Sequence, residues 1–237
     1  MEAIVLAGGL GTRLAARVKD LPKAMAPVGQ RPFLEIILRQ LQRSGYARVV
    51  ISVGHLRESI INYFGTAFDG LSLTYAVEEA PLGTGGGIRK ALSMAEEDAA
   101  LVLNGDTFLD ADYAAMMRFH TQAARPMTMA ITQQENIARY GGVLTCGGLV
   151  TGFEEKGRSG PGWINAGAYI LAGNLVWPAG LGEKFSFEMD FLAPQVANLA
   201  PAAFEVHGFF LDIGVPEDYD CAQTALEKLA DQKQAGE

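Results

Sequence analysis

The chain has 237 residues, 28 of them glycine, and its 27 acidic against 19 basic side chains leave a net charge of -8. With 49% hydrophobic residues it can bury a sizeable core, so disordered and fibrous classes are excluded, and its length suits one large domain with at most a small appended lobe. The acidic balance disfavours a general nucleic-acid binder, whose phosphate contacts need a basic face, and no apolar run approaches the roughly 20 residues of a membrane span.

From the N-terminus, Met1-Glu2 has no basic region before a short apolar stretch, so no signal peptide is expected. Ala3 to Leu6 is an apolar run ending at Gly8-Gly9, a buried strand feeding a loop. Phe33, Ile36, Ile37 and Leu41 recur at helical spacing, with Gly45 at the C-cap. Val49 to Val53 predicts a strand, and Ile60, Ile61 and Phe64 a short helix closed by Gly65. A strand at Leu73 to Val77, a helix at Ile88 to Met94 and a strand at Leu101 to Leu103 follow. Asp112 is placed to cap a helix carrying Tyr113, Met116, Met117 and His120. This alternation implies a parallel sheet covered on both faces.

The second half is richer in strands: Met127 to Thr132, Gly142 to Cys146, Leu149 to Glu155 and Ile164 to Leu171, with a turn at Gly147-Gly148. They are expected to extend the sheet and build a second lobe over a cleft. Phe204 to His207 and Phe209 to Leu211 come next. Val215-Pro216-Glu217-Asp218 opens a last helix, with Lys228 and Lys233 toward its other end. Cys146 and Cys221 lie far apart with no C-x-x-C, and read as buried thiols of a reducing compartment. The expectation is a single doubly wound α/β domain over residues 1–237, in a cytoplasmic globular protein.

Between Glu2 and Glu35 the chain carries Arg13, Arg17, Lys19, Lys23 and Arg31 but only one acid, Asp20. Such a cluster is either a solvated loop or a site for an anion. Its core is Leu6-Ala7-Gly8-Gly9-Leu10-Gly11-Thr12-Arg13-Leu14, directly after the first strand. Glycines let backbone N–H groups approach a phosphate, and an Arg adds permanently charged planar donors. The dinucleotide pattern G-x-G-x-x-G is broken by Leu14, and Gly-Lys-Ser/Thr occurs nowhere. Neither dinucleotide nor P-loop chemistry fits.

Followed by Leu21-Pro22-Lys23-Ala24-Met25, this loop resembles that of the sugar-1-phosphate nucleotidyltransferases. The resemblance continues through Pro81-Leu82-Gly83-Thr84-Gly85-Gly86-Gly87, Asn104-Gly105-Asp106-Thr107, Glu154-Glu155-Lys156, Ile164-Asn165-Ala166-Gly167 and Leu211-Asp212-Ile213-Gly214. Phe185-Ser186-Phe187-Glu188-Met189-Asp190 and Phe210 to Tyr219 are most similar to the bacterial guanylyltransferases acting on D-glycero-α-D-manno-heptose 1-phosphate. The implied fold is a doubly wound, mostly parallel sheet with a small strand-rich sugar-binding lobe. Residues 1–125 would be the nucleotide-binding half, and 126–237 the sugar-binding half with the C-terminal helix.

The implied reaction is attack of a sugar 1-phosphate on the α-phosphorus of GTP or another NTP, releasing pyrophosphate. It rests on positioning and electrostatics. Because the nucleophile is already ionised, no general base is required, and His55, His120 and His207 form no catalytic group. The resemblance gives Arg13 the β- and γ-phosphates, Lys23 the reacting centre and Lys156 the sugar phosphate, although Lys156 alone also reads as a surface residue. Leu6, Ala7, Gly8, Gly9, Gly11, Thr12, Glu78, Gly83, Thr84 and Asn104 would bind the nucleotide. Glu78 accepts hydrogen bonds only, which suits guanine N1–H and its amine, or simply faces solvent.

Asp106, after an apolar run, lies at the carboxyl end of a predicted strand, where open α/β sheets bind ligands. Asp212 ends a later run, and two carboxylates with phosphate oxygens suit Mg²⁺. Tyr140, Gly141, Glu155, Asn165 and Glu188 are the expected sugar contacts, with Ser186 equally an ordinary helix N-cap. Asp110-Ala111-Asp112 is also a D-x-D, as in nucleotide-sugar-dependent glycosyltransferases, or simply acids opening a helix. A non-catalytic nucleotide-sugar sensor would be expected to lack these phosphate and metal residues. The oligomeric state is left open.

Overall fold

The computed structural model describes residues 1–9, 14, 17–18 and 20–234, with side chains as far as Leu226. Gly11, Thr12, Arg13 and Lys19, and the side chains of Lys228 and Lys233, lie outside the described residues.

The first half runs β1 (Glu2–Leu6), β2 (Pro27–Val28), β3 (Arg31–Pro32), α1 (Phe33–Arg43), β4 (Arg48–Val53), α2 (Arg57–Phe64) and β5 (Ala67–Phe68). Then come β6 (Leu71–Val77), α3 (Gly83–Leu92), β7 (Ala99–Asn104), β8 (Thr107–Leu109) and α4 (Tyr113–Ala123). The second half has β9 (Met127–Gln134), β10 (Val143–Cys146), β11 (Leu149–Phe153), β12 (Gly162–Ala172) and α5 (Ala193–Leu199). It ends with β13 (Ala202–Val206), β14 (Phe210–Asp212) and α6 (Pro216–Gln234).

One ten-stranded sheet runs through both halves in the order β10-β11-β13-β9-β12-β7-β1-β4-β6-β5. Strands β5, β11 and β12 run against the others. The strand-rich second half thus extends the sheet, as expected. Around β1 the strands β7, β4 and β6 are parallel, and successive side chains point to opposite faces. Ala3, Val5, Leu101 and Leu103 pack in one layer with α1, α2, α4 and α6. Ile4, Ala100 and Val102 pack in the other with α3 and Phe187, Phe191 and Leu192. Burial on both faces explains why these strands read as continuous apolar runs.

Two expectations are corrected. The helix predicted at Ile88–Met94 starts at Gly83, so the glycine run forms its first turns rather than a loop. Its glycines are packed from outside: a Cβ at Gly85 would lie 2.2 Å from the Phe185 ring, and one at Gly86 2.3 Å from the Glu183 carbonyl oxygen. Cys146 and Cys221 are exposed, not buried. The first ends the edge strand β10 beside the Gly147-Gly148 turn, and the second lies on the solvent side of α6.

Gly to Ala in a helix interior ordinarily stabilises by up to ~1 kcal/mol. Gly86→Ala should instead destabilise by about 1–3 kcal/mol, because the new methyl meets backbone and not a flexible side chain. Urea unfolding of the two proteins checks the sign.

Candidate active site

The crossovers leave β1 in opposite directions: β4 and β6 lie on one side, and β7 is reached through α3 on the other. The carboxyl ends of β1 and β7 therefore flank a crevice of the kind in which open α/β sheets bind ligands. Leu6 pairs with Ser52 and Asn104 in register, and Ala7 N–H donates to the Ser52 carbonyl at 2.8 Å. Gly105 N–H donates to the Leu6 carbonyl at 2.9 Å, an approach no side chain at 105 allows, since its Cβ would sit 2.4 Å from that oxygen. The chain is thereby turned so that Asp106 follows at the strand end.

Glu78 stands behind the start of the glycine-rich loop. Its Oε1 accepts from Ser52 Oγ at 2.7 Å and its Oε2 from Leu82 N–H at 3.0 Å. A Cβ at Gly8 would lie 2.8 Å from Oε1, and one at Gly87 2.9 Å from the same oxygen. Glu78 thus ties the β1 loop, β4 and the start of α3 together and is not free in solvent. Gly83 has a positive φ of 71° beside Phe185, Thr84 Oγ1 accepts from Phe187 N–H at 2.9 Å, and Gly9 is exposed with open space around it.

Lys23 begins a single 3-10 turn, Lys23–Met25, whose Ala24 and Met25 are buried and fix its stem. Strand β8 pairs with β14 so that Thr107 faces Asp212, and Ile213 N–H donates to the Asp106 carbonyl at 3.0 Å. That pairing brings Asp106 and Asp212 together. Lys23 Nζ lies 2.5 Å from Asp106 Oδ2 and 3.6 Å from Asp212 Oδ1. Burial, and then the neighbouring Asp106, push the Asp212 carboxyl above the usual range, against Lys23, the Gly214 N–H and Arg139. Two partly exposed hard-oxygen ligands at one crevice fit a divalent cation completed by phosphate oxygens and water. Among the described residues no three His, Cys, Asp or Glu side chains group as a closed metal site.

On the other wall, Asn165 Nδ2 donates to Tyr169 OH at 2.7 Å and lies 3.4 Å from Glu188 Oε1, to which Tyr169 OH donates at 3.2 Å. Two expected sugar residues are thus joined through a buried tyrosine. An irregularity in the β12–β9 register between Asn165 and Tyr169 turns Asn165 into the cleft; within it Gly167 has a φ of 70° and its Cβ would lie 2.8 Å from Asn104 Nδ2. Glu188 sits on a π-helical turn, Phe187–Leu192, a form frequent at functional sites. Ser186 caps that turn, accepting from Met189 N–H at 3.2 Å, so cap and site residue coexist.

Tyr140 packs edge-on to Phe210, and Gly141 lies against Lys156, where a Cβ at 141 would come 3.7 Å from the Lys156 Cγ. Lys156 and Glu155 are exposed, and neither has an ion pair among the described residues. Two residues were missed. Tyr169 was hidden in a strand of apolar residues. Arg139, next to Tyr140 in sequence, has its Nη2 3.9 Å from Asp212 Oδ2 and pairs with Asp218. Asp112 accepts from Ala115 N–H at 2.8 Å, the helix-cap role, which removes the D-x-D from consideration. His120 is buried against Thr128 Oγ1 at 2.9 Å, its imidazole pushed down by burial, and His55 and His207 are exposed.

A doubly wound sheet with a glycine-rich first turn, two convergent carboxylates and a lysine between them has the architecture of a nucleotide-processing α/β protein. The nucleotidyl transferase family model matches residues 2–228, and the chain belongs to that family. It is 40% identical to the D-glycero-alpha-D-manno-heptose 1-phosphate guanylyltransferase of Aneurinibacillus thermoaerophilus, over 96% of this chain and 99% of that protein. Identity to the protein of the same name from Campylobacter jejuni is 41%, over 92% and 97%. The crystal structure of HddC from Yersinia pseudotuberculosis complexed with GMP-PN superposes with a TM-score of 0.83 at 33% identity, covering 95% of this chain and 99% of that one. The chain is thus an enzyme of a family that acts on an NTP and a sugar 1-phosphate and uses a divalent metal. Among the described residues no helix is long and apolar enough to cross a membrane.

The raised carboxyl of Asp212 has a stability consequence. A carboxylate whose pKa is raised by folding weakens the fold above that pKa and ceases to do so as pH falls through it. In metal-free protein Asp212→Asn should therefore raise the thermal midpoint at pH 7. The gain should shrink on acidification, when the wild-type group takes up its own proton. Melting curves from pH 4 to 8 in the presence of chelator give the comparison.

Proposed function

We propose that this enzyme transfers the guanylyl group of GTP to D-glycero-α-D-manno-heptose 1-phosphate, giving GDP-heptose and pyrophosphate, with Mg²⁺ as its metal. The observation that carries the chemistry is the junction of Lys23, Asp106 and Asp212 at the crevice between β1 and β7. The choice of base and sugar is supported by the two near full-length relatives at 40% and 41% identity.

Two anions must meet, and their repulsion has to be offset by fixed positive charge. Asp106 and Asp212 would hold Mg²⁺, which when bound screens the nucleotide's phosphates. Lys23, held by its buried turn, presents its ammonium to the phosphates beside those carboxylates. Arg13, at the end of the glycine-rich loop, grips the phosphates that leave as pyrophosphate. Gly8, Gly9, Gly11 and Thr12 supply backbone donors to them, Leu6 and Ala7 anchor that loop to β4 and β7, and Asn104 lines the adjoining strand end. Lys156, exposed at the cleft mouth beside Gly141, takes the incoming sugar phosphate.

The attacking phosphate oxygen is ionised at neutral pH, so no side chain needs to remove a proton. The base lies along the start of α3, at Gly83 and Thr84, with Glu78 accepting from guanine through lone pairs left over from Ser52 and Leu82. Tyr140, Gly141, Glu155, Asn165 and Glu188 read the sugar hydroxyls. One interacting domain over residues 1–237 performs the whole reaction.

A matrix of GTP, UTP, CTP, ATP and dTTP against heptose, mannose, glucose and N-acetylmuramate 1-phosphates, scored by pyrophosphate release, tests the assignment. The highest kcat/KM should fall on GTP with the manno-heptose; preference for UTP or dTTP overturns it. Asp106→Asn should lower kcat by about 10²-fold or more, as the loss of a transition-state charge ligand does. Glu78→Gln keeps one acceptor oxygen but adds a donor, and should narrow the GTP preference over UTP and dTTP; an unchanged preference removes Glu78 from base recognition.

A further inference from the structure

The cleft has two walls that meet at one corner. One wall carries Asp212 at the end of β14 and Asp218 in the first turn of α6. The other is the loop 136–142 with the Tyr140-Gly141 turn. That loop is a compact block of its own. Ile137 is buried at its root and its N–H donates to the Gly160 carbonyl at 3.0 Å. Tyr140 and Gly141 both donate to the Ile137 carbonyl, at 3.0 and 2.9 Å. Gly157 N–H donates to the Ala138 carbonyl at 2.9 Å, and Glu154 N–H to Gly142 at 2.8 Å. These backbone bonds fix the loop to segment 154–160, which follows β11 and carries Lys156, and none of them reaches β14 or α6.

Side chains make that connection. The Arg139 guanidinium ion-pairs with Asp218, donates to Tyr140 OH at 2.7 Å and lies 3.9 Å from Asp212 Oδ2. Its Cζ is 4.6 Å from the centre of the Tyr140 ring, whose edge-on partner is Phe210 at 5.6 Å. Only a planar, multiply donating cation can stack on one side and bond in two directions. Asp218, in the first turn of a helix, is favoured as an anion and makes a fixed anchor.

We infer that Arg139 is a positioning residue: held by Asp218, it docks the Tyr140-Gly141 turn onto the corner of Asp212 and so sets the sugar-recognition loop against the metal-binding carboxylate. The assignment rests on the proposed reading in which Tyr140 and Gly141 face the sugar. Arg139 acts through its neighbours and touches neither reacting phosphate. Removing it should loosen the sugar's hold while leaving the nucleotide's, because the β1 and α3 contacts are made elsewhere.

The test is a double-mutant cycle of Arg139→Ala, Asp218→Ala and the pair, with Arg139→Lys alongside. Arg139→Ala should raise KM for the sugar 1-phosphate roughly tenfold and change KM for GTP by no more than about twofold. Asp218→Ala should do the same, and the pair should be no worse than either alone, as for two groups acting as one unit. Lysine keeps the charge and loses the plane, so it should recover part of the loss. Amide hydrogen exchange, which needs no substrate, should quicken across 136–142 in both alanine variants and stay unchanged across 165–169. Unchanged exchange in that loop, additive effects, or an equal rise in both KM values would each overturn the inference. If wild-type protein releases no pyrophosphate with any sugar 1-phosphate, the reaction assigned above fails, and the exchange data still decide whether Arg139 docks the loop.

Discussion

Two carboxylates have to be held side by side in a partly buried corner, and their mutual repulsion governs how this site is built. Burial, and then the Asp106 carboxylate beside it, raises the free energy of keeping Asp212 ionised. The ammonium of Lys23 lies between them, bonded to one and within ion-pair distance of the other. Gly214 N–H adds a donor to Asp212 at 2.7 Å. The fold supplies what the charges oppose. The short β8–β14 pairing is separate from the large sheet's hydrogen bonding, yet it fixes where both carboxylates stand.

The frame around that corner is an ordinary doubly wound sheet, and most of it was legible from apolar runs and glycine punctuation. Buried parallel strands announce themselves because both faces must be hydrophobic, so β1 and β4 are legible to within a residue at each end, β6 lacks its first two residues and β7 is legible only at Leu101 to Leu103. The end of Leu101 to Leu103 points to Asp106 for the same reason, whereas Phe209 to Leu211, which leads to Asp212, runs into a short antiparallel pair with Phe209 exposed. That the two meet could not be read, since it depends on β8 pairing with a strand a hundred residues away.

The misjudged features share one physical cause: a partner distant in sequence. The run Gly83 to Gly87 looks like flexible backbone in a one-dimensional reading, but it is helical, with Glu183 and Phe185 filling the space beside Gly83, Gly85 and Gly86 and with Glu78 and Ser52 filling that beside Gly87. Cys146 and Cys221 were expected inside because thiols are usually buried, whereas an edge strand and an amphipathic helix left them outside. Arg139 carried no signal beyond its place beside Tyr140, since an arginine in a loop is usually solvated. Tyr169 was masked by hydrophobic neighbours on β12.

The packing of α3 against residues 183–187 bears on how such an enzyme could change its specificity. The same short stretch closes over the glycines beside the proposed base site and, three residues later, presents Glu188 to Asn165 and Tyr169. The proposed base wall and sugar wall are therefore one mechanical piece, held by Phe185 and by the Thr84 bond to Phe187. On that proposal, a lineage drifting toward another nucleobase could not enlarge α3 without also displacing Glu188. Donor and acceptor preferences would then be inherited together, and a chimera made for new products should exchange 82–87 and 183–190 as a unit.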